Sequence, residues 1–252
     1  MHRLVMSPQF ARFICSFTLL FLGCVMQVHA DPGYYLVTVY EDEGKARIDY
    51  RYWTVKFPGR SEVVWPEIGI GYGVTKRWYT EIYASYIGES VASSKPSSLN
   101  WQNDFLLTQG QYDFDVALHT LLVSDQAGVG ADALEFGPVV QTDLGRFQLN
   151  GNLIFEKSLS GAFGRTPQLK YQWQAKYRWN VALHTGVQGF GELGDWNSWS
   201  GASAQSHRWG PMVSGSLPIG TKQSIEYQAA FLKGKVYASD SDMLSVRLQY
   251  LF

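Results

Sequence analysis

Residues 243–252 alternate without a break. Leu244, Val246, Leu248, Tyr250 and Phe252 fall on one face, and Ser245, Arg247 and Gln249 on the other. A period of two belongs to a β-strand with one apolar and one polar face. Strands of soluble proteins are most often about five or six residues long. A strand tilted across a bilayer's hydrocarbon core needs about 9–11. The length and the terminal aromatic therefore point to a strand that crosses a membrane.

The same pattern recurs upstream, at 45–57, 63–74, 76–87, 99–108, 112–122, 133–142, 147–157, 168–179, 181–190, 208–217 and 224–233, so that 243–252 completes twelve runs. The clearest is 168–179. Leu169, Tyr171, Trp173, Ala175, Tyr177 and Trp179 lie on one side, and Lys170, Gln172, Gln174, Lys176 and Arg178 on the other. A soluble barrel would bury the apolar faces, and a membrane barrel turns them to lipid. Three features favour lipid: the length of the runs, Tyr and Trp near the ends of the apolar faces, and charges of both signs on the polar faces. A Lys or Arg facing lipid at mid-membrane costs ~2–4 kcal/mol. An open sheet edge in lipid leaves backbone groups unpaired, so the sheet must close. The fold class expected is all-β: a closed, antiparallel, transmembrane up-and-down β-barrel of 12 strands, with 10 or 14 as the alternatives.

Connections alternate in length. Those at 75–77, 109–111, 143–146, 179–181 and 218–223 are tight. Those at 88–98, 123–132, 158–167, 191–207 and 234–242 are longer and rich in Gly, Ser and Asp. Membrane barrels have short periplasmic turns and long outer loops, which sends the long ones outward. Residues 34–40 are also strand-like, but an even count with both termini periplasmic leaves them over. They are expected to form a periplasmic or inward-folded segment leading through Glu41-Asp42-Glu43-Gly44 into the first strand. In a closed barrel the last strand pairs with 45–57, so Arg247 and Gln249 should share the lumen wall with Arg47, Asp49 and Arg51.

The start of the chain reads as a secretory signal peptide. Arg3 and Arg12 precede the apolar stretch 13–26, and Val28-His29-Ala30 offers small residues for cleavage. Cleavage before Cys24 as a lipoprotein is the alternative. The domain reading is residues 1–30 signal peptide, 31–44 N-terminal segment, and 45–252 barrel, exported through the general secretory pathway. Cys15 and Cys24 both precede residue 30, so the mature chain has no thiol chemistry. A net charge of −1 gives no sign of nucleic-acid binding. Charged residues are 17% of the chain, below the ~25% of a typical soluble domain, while 9 Trp and 15 Tyr suit aromatic belts at two lipid interfaces.

Gly69, Gly71 and Gly73 lack the Lys-Ser/Thr of a phosphate loop. A turn at 75–77 sets Gly73 opposite Tyr79 and Gly69 opposite Tyr83, where Tyr rings can cover strand glycines. His119, His184 and His207 have no metal-ligand partner at short spacing and no His-x-Ser pattern. No catalytic residue, metal site or cofactor is assigned, and the chain is read as a non-enzyme. The lumen-lining candidates are Arg47, Asp49 and Arg51 on the first run and Glu81, Asp104, Asp113, Asp115 and His119 on the third to fifth. In the second half they are Glu135, Glu156, Lys170, Lys176, Arg178, His184, Glu226 and Arg247. Their near-balance of sign argues against selectivity from a single-sign ring. It fits either a narrow pore of mixed polarity or a lumen closed by ion pairs. Trp196 and Trp199 in the 191–207 loop read as interface anchors or, alternatively, as an aromatic solute contact.

The ending of the sequence resembles the C-terminal signature of bacterial outer-membrane β-barrels, in which the last strand carries alternate apolar residues and stops on Phe. That resemblance implies a membrane-assembly signal at Leu248, Tyr250 and Phe252 read by the barrel assembly machinery, and a surround of outer-membrane lipid and lipopolysaccharide. Two further stretches, 67–81 with its Glu67-Ile-Gly-Ile-Gly-Tyr-Gly-Val-Thr-Lys-Arg-Trp78 and 135–157, resemble the barrels grouped with the phenol-degradation meta-pathway family. This likeness implies a narrow channel or uptake protein for a small solute, hydrophobic or aromatic ones included. The alternatives are a closed barrel with a structural or surface-binding role, and a lipid-modifying enzyme.

Overall fold

The final strand is one of the seams that close the sheet. The structure is a computed structural model that describes residues 35–39, 43–108, 110–128, 130–160 and 166–252. The expected signal peptide and both cysteines lie outside these residues. The strands are β1 (Ala46–Val55), β2 (Val63–Thr75), β3 (Trp78–Ile87), β4 (Lys95–Leu106), β5 (Phe114–Asp125), β6 (Ala133–Leu144), β7 (Phe147–Ser158), β8 (Gln168–Asn180), β9 (Leu183–Asp195), β10 (Ser198–Trp199), β11 (Ser206–Pro218), β12 (Ser224–Val236) and β13 (Ser239–Leu251). Apart from β10, each pairs antiparallel with its neighbours in the chain, and β13 pairs with β1. The result is a closed barrel of 12 strands, with the two-residue β10 folded back on the outer end of β9.

The closing register sets Arg51 opposite Arg247 and Asp49 opposite Gln249. The five residues therefore share one lumen wall, as the alternation predicts. Closure matters energetically, because each backbone group left unpaired in lipid would cost several kcal/mol.

Burial is inverted relative to a soluble protein. Ile70 is 68% exposed and Ile68 53%, whereas Gln102, Glu135 and Gln188 are each 0% exposed. Apolar side chains face outward and polar ones face one another inside. Around the short-turn end the outward aromatics pair: Trp78 with Phe105, Tyr112 with Phe114, Phe147 with Tyr177, Tyr177 with Trp179, and Tyr250 with Phe252, at 4.6–6.0 Å between centroids. This is an aromatic girdle at one lipid interface.

The glycine pairing also holds, with Gly73 opposite Tyr79 and Gly69 opposite Tyr83. A Cβ on Gly71 would sit 2.0 Å from the Tyr79 hydroxyl, so that ring needs a glycine beneath it.

The connections depart from expectation in three places. The 234–242 stretch is no long loop. β12 and β13 continue to a two-residue turn at Tyr237 and Ala238, with φ of 43° and 72°. Two positive φ values make the turn whose twist matches paired strands. Neither residue is the glycine or asparagine that would signal it, and the polar Ser and Asp residues around it imitate a loop. The turn read at 109–111 is wider, with β4 ending at Leu106 and β5 starting at Phe114. The backbone N–H groups of Leu107 and Thr108 both donate to the Val116 carbonyl, which ends the regular ladder early. In the 191–207 stretch, β9 runs on to Asp195 and pairs with β10.

Candidate functional site

The barrel lumen is the candidate site, and its walls are the polar faces of the strands. On the β1–β5 side, Asp49 is the hub. It accepts hydrogen bonds from Arg51 Nε at 2.9 Å, Arg247 Nε at 2.9 Å and Gln249 Nε2 at 3.3 Å. Arg51 Nη2 also donates to Glu81 Oε1 at 2.7 Å, and the Tyr79 hydroxyl donates to Glu81 Oε2 at 2.8 Å. Next along the wall, His119 Nδ1 meets Asp104 Oδ1 at 2.6 Å, and Gln102 Nε2 donates to Asp104 Oδ2 at 2.6 Å. Across the lumen Lys170 binds Glu156 and lies 3.6 Å from Glu135, and Arg208 binds Glu192 at 2.5 Å. These charges are almost wholly buried and are neutralised in pairs. Pairing is what allows such groups to leave water.

Residues 35–39 lie inside this wall. The Arg51 guanidinium is sandwiched 3.9 Å from the Tyr35 ring centroid and 4.4 Å from that of Tyr83, a cation–π arrangement on two faces. The Tyr35 hydroxyl bonds that of Tyr83 at 3.2 Å and donates to Gln102 Oε1 at 3.4 Å. Two residues on, the Val37 N–H donates to Gln172 Oε1 at 3.0 Å, and Asn152 Nδ2 donates to the Val37 carbonyl at 2.8 Å. The segment thus crosses from the β1–β4 wall to the β7–β8 wall. Tyr35, Val37 and Val39 pack on Ala117 and Val139, two apolar residues on an otherwise polar face.

Towards the long-loop end the lumen turns apolar. Trp53, Val55, Phe190, Met212, Leu232 and Met243 form a buried cluster, with Trp65 packed against it and stacked on Trp53 at 4.0 Å. Towards the short-turn end a half-open cavity of about 190 Å³ remains, lined by residues that include Leu36, Thr38, Lys176, His184, Ser214, Glu226 and Gln228.

Among the lumen candidates, Arg47, Asp49, Arg51, Glu81, Asp104, His119, Glu135, Glu156, Lys170 and Arg247 are buried in the wall. Lys176, Arg178, His184 and Glu226 are half-buried at the short-turn rim, where Arg178 binds Asp143 at 3.0 Å. Asp115 is half-buried and accepts from Thr108 Oγ1 at 3.0 Å. Asp113 stands exposed on the wide turn before β5, away from the lumen wall. Leu248 and Phe252 face outward, and Trp196 and Trp199 are exposed at the outer hairpin. The apolar lumen residues are absent from the polar-face candidates. Trp53, Ala117, Val139, Ile154 and Met243 each break the polar face of their strand, and that break was the available signal.

The chain has the fold of a bacterial outer-membrane β-barrel. No family model and no curated protein matches it. Solved structures similar to it include the NanC porin, at 11% identity and a TM-score of 0.55, covering 81% of this chain and 98% of that one. The KdgM porin is 10% identical with a TM-score of 0.54, covering 82% and 99%. An outer membrane channel from Pseudomonas putida F1 is 14% identical with a TM-score of 0.55, covering 88% and 98%. These neighbours accord with the resemblance to transporter-like outer-membrane barrels, at the level of the fold.

Proposed function

We propose that this chain is an outer-membrane channel or uptake protein for a small solute, with residues 35–39 occupying its conduit. The observation that carries the reading is a lumen wall built of hydrogen-bonding and charged side chains, crossed by a segment held to it by non-covalent contacts and retaining a half-open cavity of about 190 Å³. The fold it shares with proteins described as porins and an outer membrane channel adds to it. On this reading residues 1–30 are removed on export, 31–44 form the N-terminal segment, and Leu248, Tyr250 and Phe252 present the last strand to the assembly machinery. We assign no catalytic reaction. His119 spends Nδ1 on Asp104, and substituting His119 and His184 should leave membrane lipid turnover unchanged. Single-channel recording in planar bilayers tests the proposal: reproducible small steps support it, and silence from demonstrably folded protein contradicts it. The apolar cluster around Trp53 favours a second reading, a closed barrel with a structural or surface-binding role, which predicts that silence.

A further inference from the structure

The half-open cavity at the short-turn end differs from the rest of the lumen in how its charges are held. Elsewhere Arg51, Lys170 and Arg208 each face a carboxylate, and Arg247, which also lines the cavity, is held by Asp49. Around the cavity, the Lys176 ammonium and the Glu226 carboxylate make no hydrogen bond or ion pair with any protein group among the described residues. The two project from β8 and β12, which are separated in the sheet by β9 and β11. They therefore stand on different parts of the wall and face the same space. Between them the Ser214 hydroxyl is buried and has no hydrogen-bond partner. Leu36 supplies an apolar floor. A cation and an anion that attract across the space without a direct bond, a hydroxyl with no hydrogen-bond partner and an apolar floor converge on one volume.

We propose that this cavity binds a small zwitterion of the α-amino acid class. Its carboxylate meets Lys176 and the Ser214 hydroxyl, its ammonium meets Glu226, and its aliphatic side chain lies on Leu36. The volume agrees with the class. A half-open cavity of about 190 Å³ has room for a molecule of amino-acid bulk. A bound zwitterion would satisfy both charges at once, and a simple anion or cation would satisfy only one. His184 and Gln228, also on the lining, add further hydrogen-bonding groups.

The inference rests on the lumen geometry and not on conduction, so a silent bilayer recording leaves it standing. Three probes that share one branched skeleton test it: L-valine, isovalerate with the carboxylate alone, and isobutylamine with the ammonium alone. Saturation-transfer NMR on detergent-folded full chain reads binding directly, and heat-modifiable gel migration confirms folding of each variant. L-Valine should bind at least about ten-fold more tightly than either fragment, a difference of ~1.4 kcal/mol. Lys176→Met should weaken L-valine and isovalerate but not isobutylamine. Glu226→Gln should weaken L-valine and isobutylamine but not isovalerate. Both residues are half-buried and neither is held by a hydrogen bond, so both variants should fold. Equal binding of all three probes, no binding of L-valine to folded protein, or variants that alter every probe alike would each overturn the proposal.

Discussion

Asp49 shows how much one lumen carboxylate can carry. The closing register places Arg51 and Arg247 opposite each other, and Asp49 is what makes two buried guanidiniums tolerable there. Asp49→Asn should lower stability by about 3–5 kcal/mol, because it removes the buried carboxylate that Arg51 and Arg247 share. Equilibrium unfolding in urea from lipid or detergent would measure it. Arg178→Ala, which loses a partly exposed pair with Asp143, should cost less than about 1 kcal/mol in the same assay. Gly71→Ala makes a separate point. Its Cβ would collide with the Tyr79 ring, and the displaced hydroxyl would lose Glu81. A cost of about 1–3 kcal/mol is expected, as for other overpacked sites. At this scale the sequence was informative about neighbours: the Gly–Tyr pairing and the Arg247–Arg51 wall both follow from counting along alternating strands. It could not tell that Asp49 would bridge the two arginines, because side-chain direction within a lumen depends on every wall at once.

Among the elements, the strands were legible and their ends were not. Period two survives wherever one face meets lipid and the other meets polar groups, which is why β8 and β13 stand out. Beyond the membrane both faces turn polar, and strand and loop then look alike. That is how the outer hairpin of β12 and β13 passed for a loop. Its turn holds Ala238 at a φ of 72°, a left-handed conformation that costs a residue with a Cβ roughly 1–2 kcal/mol. Ala238→Gly should therefore stabilise the barrel by up to about 1 kcal/mol, less than the full strain because glycine also loosens the unfolded chain. A higher urea midpoint would show it, and an unchanged or lower one would mean the turn is not strained. The segment 35–39 is legible as strand-like and as either periplasmic or inward-folded; the structure has it inside, and the wall it docks on is not legible. A five-residue stretch carries no mark of which wall it docks on. The complementary mark lay far away, in Ala117 and Val139 on a face where polar residues were expected.

For the whole molecule, closure of twelve strands turns local alternation into an inside and an outside, and the inside is then filled. Ion pairs neutralise the walls, apolar side chains cluster towards the long-loop end, and residues 35–39 span the middle. The last is held by hydrogen bonds, the Tyr35 ring contacts and apolar packing rather than by the ladder of the sheet. The central claim is that this segment sits in a conduit. Single-channel conductance of folded protein lacking residues 35–39, compared with the intact chain under the same salt and voltage, tests it most directly. The account predicts larger and longer-lived conducting steps from the shortened chain. Equal conductance in the two, or silence from both when each is shown to be folded, would contradict it.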